Sequence, residues 1–177
     1  MRYLIVCGGK IDKEFGLNEI KTDGIDAIIA ADSGMDFLYE NGVTPDIIVG
    51  DFDSATTKAL EFFERKGQTE IHRLNPIKDD TDTEYAIRLA TREGARSIVL
   101  LGATGSRIDH VLGNISLLGI GLESGTDISI IDTNNRIRMA DKPVTIEKSA
   151  QYGRFVSLIA VTDDNEVSLR GFKYPVT

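Results

Sequence analysis

The sequence predicts an α/β protein: a mostly parallel sheet with helices on both faces, followed by a small C-terminal antiparallel β-sandwich. Up to about residue 125, short and almost wholly apolar runs alternate with helical patterns, and a Gly- or Asp-rich break follows most runs. Wholly apolar strands are typical of a parallel sheet covered on both faces. Beyond that point, short strand patterns follow one another without a helical pattern between them, which indicates antiparallel pairing. We therefore expect two domains, residues 1–132 and 133–177.

Each element follows from its local pattern of apolar and turn-forming residues. Apolar runs bounded by glycine or polar residues predict strands at 4–7, 27–31, 46–49, 69–74 and 97–101. Helical patterns, most of them ended by glycine, predict helices at 35–41, 57–66, 82–93 and 108–122. The last of these places Val111, Leu112, Ile115 and Leu118 on one side. The C-terminal strands are predicted at 128–131, 136–139, 144–146, 155–161 and 167–169.

The charge balance excludes one class of ligand. Lys and Arg total 20 and Asp and Glu total 28, so the formal net charge is −8. A sequence-independent grip on nucleic acid needs a basic surface, and we therefore expect no nucleic-acid partner. An anionic small molecule would need local cations, a bound metal or backbone amides, because the overall field repels it.

Cysteine content and apolar runs bear on where the protein is located. Cys7 is the single cysteine, so no disulfide can form within the chain, and its place in a strand predicts a buried thiol. No apolar run approaches the ~18 residues of a membrane span. The apolar run at the N-terminus is too short for a signal peptide. We expect a cytoplasmic protein without membrane contact.

Four polar loops follow predicted strands. In an open α/β sheet, ligands bind beyond the carboxyl ends of the strands, so these loops are expected to meet at one edge. They comprise residues 32–34, 50–54, 78–84 and 102–110.

Asp51 and Asp53 stand two positions apart, just past a strand. In extended backbone this spacing puts both side chains on one face, where two carboxylates make half of a Mg²⁺ site. A turn followed by a helix N-cap explains the same residues without a metal.

The loop at 78–84 has two explanations. Thr81 and Glu84 fit a capping box at a helix start. That explanation leaves Asp79, Asp80 and Asp82, which repel one another unless a cation or a helix N-terminus lies among them.

The loop at 102–107 follows a strand and precedes a helix. Its two glycines permit a tight turn with inward N–H groups, and Arg107 adds donors that suit phosphate oxygens. An ordinary turn with a surface arginine is the alternative. The sequence contains neither a Walker A loop nor a G-x-G-x-x-G fingerprint. His72 and His110 are both more readily explained as structural histidines.

Acidic residues, Arg107, a lysine and glycine turns on one edge suit a Mg²⁺–polyphosphate ligand. The order of these motifs, together with Pro45-Asp46 and Asn114, resembles the thiamine pyrophosphokinase (thiamine diphosphokinase) family of bacterial type. The resemblance extends over nearly the whole chain, from Gly8-Gly9 to residues 171–175. It implies that ATP and thiamine give AMP and thiamine diphosphate, with Mg²⁺, in a homodimer whose active sites lie at the subunit interface.

The resemblance also implies site residues. Asp51, Asp53 and Asp82 would be catalytic and would hold Mg²⁺, with Asp79 as a further metal ligand. The ATP-binding residues would be Asp32, Ser33, Gly34, Lys78, Thr81, Gly102, Thr104, Gly105, Arg107, Asp109, His110 and Asn114. Two features depart from the family: Ser106 stands where relatives usually have glycine, and the chain ends before the expected sandwich is complete.

The implied reaction is in-line attack of the thiamine hydroxyl on the β-phosphorus, with AMP leaving. Positioning and charge neutralisation supply most of the catalysis. Asp51 and Asp82 are both candidates to orient or deprotonate the hydroxyl. A phosphohydrolase with an aspartyl nucleophile is one alternative, although its D-x-D motif usually follows the first strand. A non-catalytic nucleotide-sensing module is the other.

Overall fold

A computed structural model describes residues 1–52, 57–75, 80–105, 107–163, 165–174 and 176. In this part of the chain, seven strands form one sheet. They are β1 (Arg2–Val6), β2 (Ala27–Ala31), β3 (Ile47–Gly50), β4 (Glu70–Arg73), β5 (Ser97–Leu101), β6 (Asp127–Ile131) and β7 (Arg136–Arg138). The α-helices are α1 (Lys13–Ile20), α2 (Gly34–Glu40), α3 (Thr57–Lys66), α4 (Asp82–Arg92), α5 (Ile108–Leu117) and α6 (Gly119–Ser124).

The sheet is parallel except at one edge. Its strand order is β4-β3-β2-β1-β5-β6-β7, and β7 is the strand that runs antiparallel, against β6. The chain therefore builds outward from β1 in one direction through β4, and then returns to the other side of β1 to place β5. The predicted fold class is confirmed, and the reversal between β1 and β5 is the switch point at which such sheets bind ligands.

Helices cover both faces of the sheet because its strands are apolar on both sides. Leu4 and Val6 of β1 belong to a core with α2 and α3, against which residues of α1 also pack. Tyr3, Ile5 and Cys7 face the opposite core, which α4 and α6 complete. Leu4, Ile5 and Val6 are each at most 1% exposed, as expected of a strand in the middle of a doubly covered sheet.

Helix α1 is not predicted from the sequence, since Phe15, Leu17 and Ile20 lack the regular spacing of a helical apolar stripe. Asp12 caps this helix by accepting a hydrogen bond from the Phe15 N–H at 2.9 Å. Gly16 then allows close packing, because a Cβ there would lie 2.8 Å from Cζ of Phe37 in α2.

The single helix predicted at 108–122 is wrong, because the structure divides it at Leu118 into α5 and α6. Of the four residues predicted to share one side, Leu118 is buried, Val111 and Ile115 are half-buried, and Leu112 is exposed. Across α5, all of whose residues are described, no side chain is buried, and Ile108 and Leu112 are 71% and 59% exposed. Leu118 supplies the inward contact at the junction, where it is 2% exposed.

The C-terminal region differs from its prediction in detail. Antiparallel pairing is present in β7 and in an isolated bridge between Leu169 and Val176. The strands predicted at 144–146, 155–161 and 167–169 do not form, and the described residues there hold only a short 3₁₀ helix, Lys148–Ala150, and that bridge. Strand pairing needs a neighbour and a covered face, and the apolar side chains of this region lie exposed.

No helix within the described ranges combines the length and the apolar character needed to cross a membrane. The domain boundary expected at residue 132 stays a prediction, although β7 extends the main sheet to Arg138.

Candidate active site

Three carboxylates meet at the carboxyl edge of the sheet. Asp32 follows β2, Asp51 follows β3, and Asp82 begins α4. Each is half-buried, and one oxygen of each lies within 4.8 Å of the others. We call these three residues the acidic cluster. The structure thus brings Asp51 and Asp82 together and adds Asp32, whose expected place was with the nucleotide. Asp53, Lys78 and Asp79 lie outside the described residues.

The backbone at the ends of β2 and β3 is shaped to bring these side chains together. Asp32 and Phe52 adopt positive φ values of 48° and 64°, which residues other than glycine rarely do. The Asp32 N–H donates to the Val49 carbonyl at 2.7 Å. A Cβ on Gly50 would lie 3.2 Å from the Asp32 Cα, so the glycine permits this approach. Strained backbone of this kind is concentrated at functional sites.

Thr81 places Asp82 at the start of α4. The Thr81 hydroxyl accepts a hydrogen bond from the Glu84 N–H at 3.1 Å, as a helix N-cap does. In a complete capping box the Glu84 carboxylate also accepts from the Thr81 N–H. Here that carboxylate instead pairs with Arg88, whose Nη2 lies 2.7 Å from Oε1 of Glu84. Asp82 therefore lies at a helix N-terminus, where the helix dipole favours a negative charge.

The acidic cluster suits a hard divalent cation. Two like unit charges about 4 Å apart near a protein surface repel by roughly 4 kcal/mol. A cation among the three carboxylates replaces this repulsion with attraction, and carboxylate oxygens are the ligands that Mg²⁺ prefers. The donor set therefore fits the magnesium ion expected from the sequence.

Glycines line the carboxyl edge of the sheet between the acidic cluster and the loops after β1 and β5. A Cβ on Gly8 would lie 2.1 Å from Oγ of Ser33, and a Cβ on Gly34 would lie 1.9 Å from the Val6 carbonyl oxygen. The Gly9 N–H donates to the Gly102 carbonyl at 2.9 Å. The loops after β1, β2 and β5 therefore pack directly against one another at their glycines. Ser33 and Gly34 are part of this packing.

The turn after β5 is held by side chains from two other elements. Asn114 of α5 donates from Nδ2 to the Ala103 carbonyl at 2.8 Å. The Thr104 hydroxyl donates to Oδ2 of Asp132 at 2.9 Å. Gly102 needs its glycine, since φ there is +68° and a Cβ would lie 2.5 Å from the Cys7 carbonyl oxygen. Ser106 lies outside the described residues.

Arg107 and Asp109 form an exposed ion pair at the start of α5. Nη2 of Arg107 lies 2.6 Å from Oδ2 of Asp109, and the two side chains are 68% and 61% exposed. The hydrogen bond from Arg107 holds the pKa of Asp109 below its usual value. His110 follows on the same helical turn and is exposed. These three residues lie at the outer end of the glycine turn rather than in the acidic cluster.

Sequence reasoning missed Asp132 as a site residue. Its carboxylate accepts from the N–H groups of Asn134 and Asn135 at 2.8 and 2.7 Å, and from Thr104. Partial burial opposes the charge, but these hydrogen bonds outweigh it and hold the pKa of Asp132 below its usual value. Tyr152 also donates to the Asp132 carbonyl. An Asp with Asn two and three positions later, directly after a strand, is the signal that predicts such a turn.

A cavity of about 620 Å³ opens beside this turn, between the loops after β1, β5 and β6. Its floor is apolar and includes Ile11, Phe15 and Ile131. Lys10 is the one cationic side chain among the described residues that line it. Lys10 was also missed, although its position just after β1, beside the switch point of the sheet, is a signal for a ligand loop.

Two other residues lie where structural roles explain them. His72 of β4 contacts the Tyr85 hydroxyl at 3.2 Å and Oε1 of Glu70 at 2.6 Å. Cys7 is 3% exposed, and burial raises the pKa of its thiol to about 11, so it is no ready nucleophile.

Comparison with known proteins places this arrangement in a family. The family model described as "Thiamin pyrophosphokinase, catalytic domain" matches residues 21–130. The thiamine pyrophosphokinase of Bacillus subtilis is 37% identical over 150 residues, which are 84% of this chain and 69% of that protein. This chain belongs to the thiamine pyrophosphokinase family. Thiamine pyrophosphokinase 1 of Oryza sativa is 36% identical over 80 residues, 42% of this chain and 30% of the rice protein.

Solved structures of thiamine pyrophosphokinases have the same fold. The Bacillus subtilis crystal structure has a TM-score of 0.67 at 31% identity, and covers 78% of this chain. The Geobacillus thermodenitrificans structure has a TM-score of 0.64 at 31% identity, and covers 77%. This chain spans 63% and 61% of the lengths of those two structures. The acidic cluster lies inside the matched catalytic region, whereas Lys10 lies before its start and Asp132 lies two residues beyond its end.

Proposed function

We propose that this chain transfers the diphosphate group of ATP to the hydroxyl of thiamine, giving thiamine diphosphate and AMP. The observation that carries the proposal is the acidic cluster at the carboxyl edge of the sheet, in a chain that belongs to the thiamine pyrophosphokinase family. Diphosphate transfer needs neutralisation of phosphate charge and in-line positioning of the hydroxyl, and needs no covalent enzyme intermediate.

We expect Asp32, Asp51 and Asp82 to hold Mg²⁺, together with Asp53 and Asp79. When bound, the ion neutralises phosphate oxygens and makes the β-phosphorus a better electrophile. Asp51 and Asp82 remain the two candidates to orient the thiamine hydroxyl and to accept its proton. Their half-burial restricts them to few orientations while keeping them open to a ligand.

The glycine turn is expected to hold the remaining phosphate oxygens. Gly102 and Gly105 provide close backbone approach, while Asn114 and Thr104 keep the turn in place. Arg107 supports this assignment by its position, because exchanging Asp109 for a phosphate keeps its guanidinium paired with an anion.

We also propose that the active form is a homodimer. Between residues 144 and 176, large apolar side chains lie exposed, among them Phe155 at 84% and Ile159 at 85%. The concentration of these exposed apolar side chains in one segment supports an interaction surface there. A second copy covers it by a two-fold contact and brings apolar side chains close to the partner's acidic cluster, where thiamine is expected to bind.

The test is product analysis with ATP, Mg²⁺ and thiamine. We expect AMP and thiamine diphosphate to form in equal amounts, and AMP formation to require thiamine. Asp51→Asn is expected to reduce this turnover by about 10²-fold. Asp141→Asn, an exposed aspartate outside the acidic cluster, is the matched control and is expected to keep it. Phosphate release without thiamine would favour a phosphohydrolase, and binding of ATP without turnover would favour a nucleotide-sensing module.

A further inference from the structure

The loop after β3 contacts an arginine of β4, the edge strand next to β3. The guanidinium of Arg73 lies over the ring of Phe52, 5.4 Å from the ring centroid, and it also pairs with Glu64 of α3. Phe52 directly follows Asp51 in the sequence. We propose that Arg73 and Phe52 are positioning residues that fix the place of the Asp51 carboxylate in the acidic cluster. This inference rests on the proposed function, because it concerns the metal site expected there.

Asp51 lies between two residues whose places are fixed. Gly50 ends β3, is in register with Arg73, and accepts a hydrogen bond from the Leu74 N–H at 2.9 Å. Phe52 has a φ of 64°, a conformation that is unfavourable for a bulky residue. Its ring folds back over the end of the strand, since a Cβ on Gly50 would lie 3.1 Å from Cε1 of Phe52. The packing of the ring therefore sets the path of the backbone through Asp51.

The ring packs where two residues of the acidic cluster approach each other. The same Cβ on Gly50 would lie 3.2 Å from the Cα of Asp32. Phe52 also packs against the core that α2 and α3 form with the sheet. A movement of the ring would therefore change the separation between Asp51 and Asp32.

Arg73 reaches the ring on the face of the sheet that α3 covers. Ile71, two positions earlier on β4, packs against the same core, and side chains two apart on a strand share a face. The side chains of Arg73 and Glu64 are 59% and 41% exposed, and exposed ion pairs add little stability. A guanidinium over an aromatic ring favours one orientation of that ring. We therefore expect Arg73 to affect Mg²⁺ binding more than the free energy of unfolding.

A purely electrostatic role of Arg73 predicts the opposite result for Mg²⁺. If only charge mattered, removing this positive charge near the carboxylates would strengthen Mg²⁺ binding, and removing the negative charge of Glu64 would weaken it. If Arg73 positions Phe52, both changes weaken Mg²⁺ binding, because both release the ring. The sign of the effect at Arg73 therefore separates the two roles.

The experiment titrates the chain with Mg²⁺ alone and follows binding by calorimetry and by the melting temperature. Arg73→Leu is expected to weaken Mg²⁺ binding by roughly two- to fivefold, and Glu64→Gln by less. Arg73→Lys keeps a cation that can lie over the ring, and should recover most of the binding. Arg138→Leu is the matched control and should have no effect, because Arg138 pairs with Asp127 at 2.6 Å at the opposite edge of the sheet. Melting without Mg²⁺ confirms that each variant is folded.

A double-mutant cycle tests the part of Phe52. Phe52→Leu keeps an apolar side chain but removes the aromatic face, so Arg73→Leu should cause no further loss of Mg²⁺ binding in that background. An equal loss in both backgrounds would overturn the proposal. So would tighter or unchanged Mg²⁺ binding in Arg73→Leu, or a wild type that does not bind Mg²⁺.

Thiamine diphosphate formation is followed separately. If the variants change Mg²⁺ binding as expected but the wild type makes no thiamine diphosphate, the proposed function alone is contradicted. If the wild type makes thiamine diphosphate and Arg73→Leu binds Mg²⁺ as tightly as Arg138→Leu does, the positioning role alone is contradicted.

Discussion

The sheet and its helices bury their apolar side chains, whereas the region after β7 leaves its apolar side chains exposed. Phe63 of α3 is fully buried between helix and sheet, whereas Phe155 is 84% exposed. Strands β1 to β6 pair with neighbours and are covered by helices, while the described residues from 140 onward form one bridge. A segment with an apolar pattern forms a stable strand or helix only where another part of the molecule covers its apolar side chains. In the sheet region the helices of the same chain provide that surface, whereas the apolar side chains of the described residues after β7 lie exposed.

The largest effect expected from this contrast is on stability. Phe63→Ala should lower the free energy of unfolding by about 3–5 kcal/mol, since it leaves a cavity in the core. Phe155→Ala should change it by less than about 0.5 kcal/mol when the protein is dilute. Urea unfolding at nanomolar protein measures both, and equal losses would show that the two regions do not differ as described.

The second effect is on turnover, and it tests whether the acidic cluster of the sheet region is needed for the reaction. Asp51→Asn and Asp82→Asn should each reduce turnover by about 10²-fold, the usual scale for loss of an electrostatic stabiliser. Asp53→Asn is expected to behave alike. The melting temperature without Mg²⁺ should not fall, because half-buried carboxylates that repel one another add little packing.

Added Mg²⁺ should raise the melting temperature of the wild type, and less so that of these variants. Near-normal turnover in the Asp51 and Asp82 variants would remove the acidic cluster from the mechanism.

The contrast also explains what could be predicted from the sequence. Ser97–Leu101 and Thr57–Lys66 were predicted with their observed bounds, because a wholly apolar run and a regular apolar stripe are local signals. The joining of Asp51 with Asp82 followed from the geometry of parallel sheets. Residues 155–161 have an equally apolar pattern, but the strand does not form, since pairing depends on a partner that no local pattern specifies.

Two placements that the sequence did not predict, that of Asp32 in the acidic cluster and that of Asp132 beside the turn after β5, have a similar cause. Asp32 joins the acidic cluster through a positive φ and a hydrogen bond to the end of β3, neither of which its sequence neighbours indicate. Asp132 acquires its role from Thr104, which is 28 positions away. Long-range contacts of this kind need the strand order before they can be inferred.

A third prediction compares two exposed arginine–aspartate pairs. Arg107→Ala should weaken ATP binding by roughly tenfold and leave thiamine binding nearly unchanged, because Arg107 lies beside the glycine turn. Arg138→Ala is the matched control: Arg138 pairs with Asp127 at 2.6 Å on the sheet edge. Calorimetric titration of each ligand tests this. Equal loss of both ligands, or the same loss in both variants, would make Arg107 an ordinary surface residue.

The smallest expected effect is a pH dependence of the free energy of unfolding that comes from Tyr3 in β1. Burial, together with a 2.7 Å hydrogen bond to Glu93, raises the pKa of Tyr3 from 10.0 to about 12. The folded state therefore favours the neutral tyrosine. The contribution of Tyr3 to the free energy of unfolding is intact below pH 10 and is lost as the pH rises through 12. At pH 10.5 the loss should be about 1 kcal/mol.

Tyr3→Phe should remove that part of the decline. Urea unfolding at pH 8 and pH 10.5 measures it, and an unchanged decline in the variant would show that Tyr3 is not its source.

Hydrogen exchange at two protein concentrations tests the division between the two regions most directly. Amides of β1, β5 and β6 should be strongly protected at micromolar and at nanomolar protein, because their cover lies within the chain. If the proposed homodimer covers this region, amides at 144–161 should be protected at the higher concentration and exchange rapidly on dilution. Protection at 144–161 that equals that of β1 and survives dilution would contradict the account.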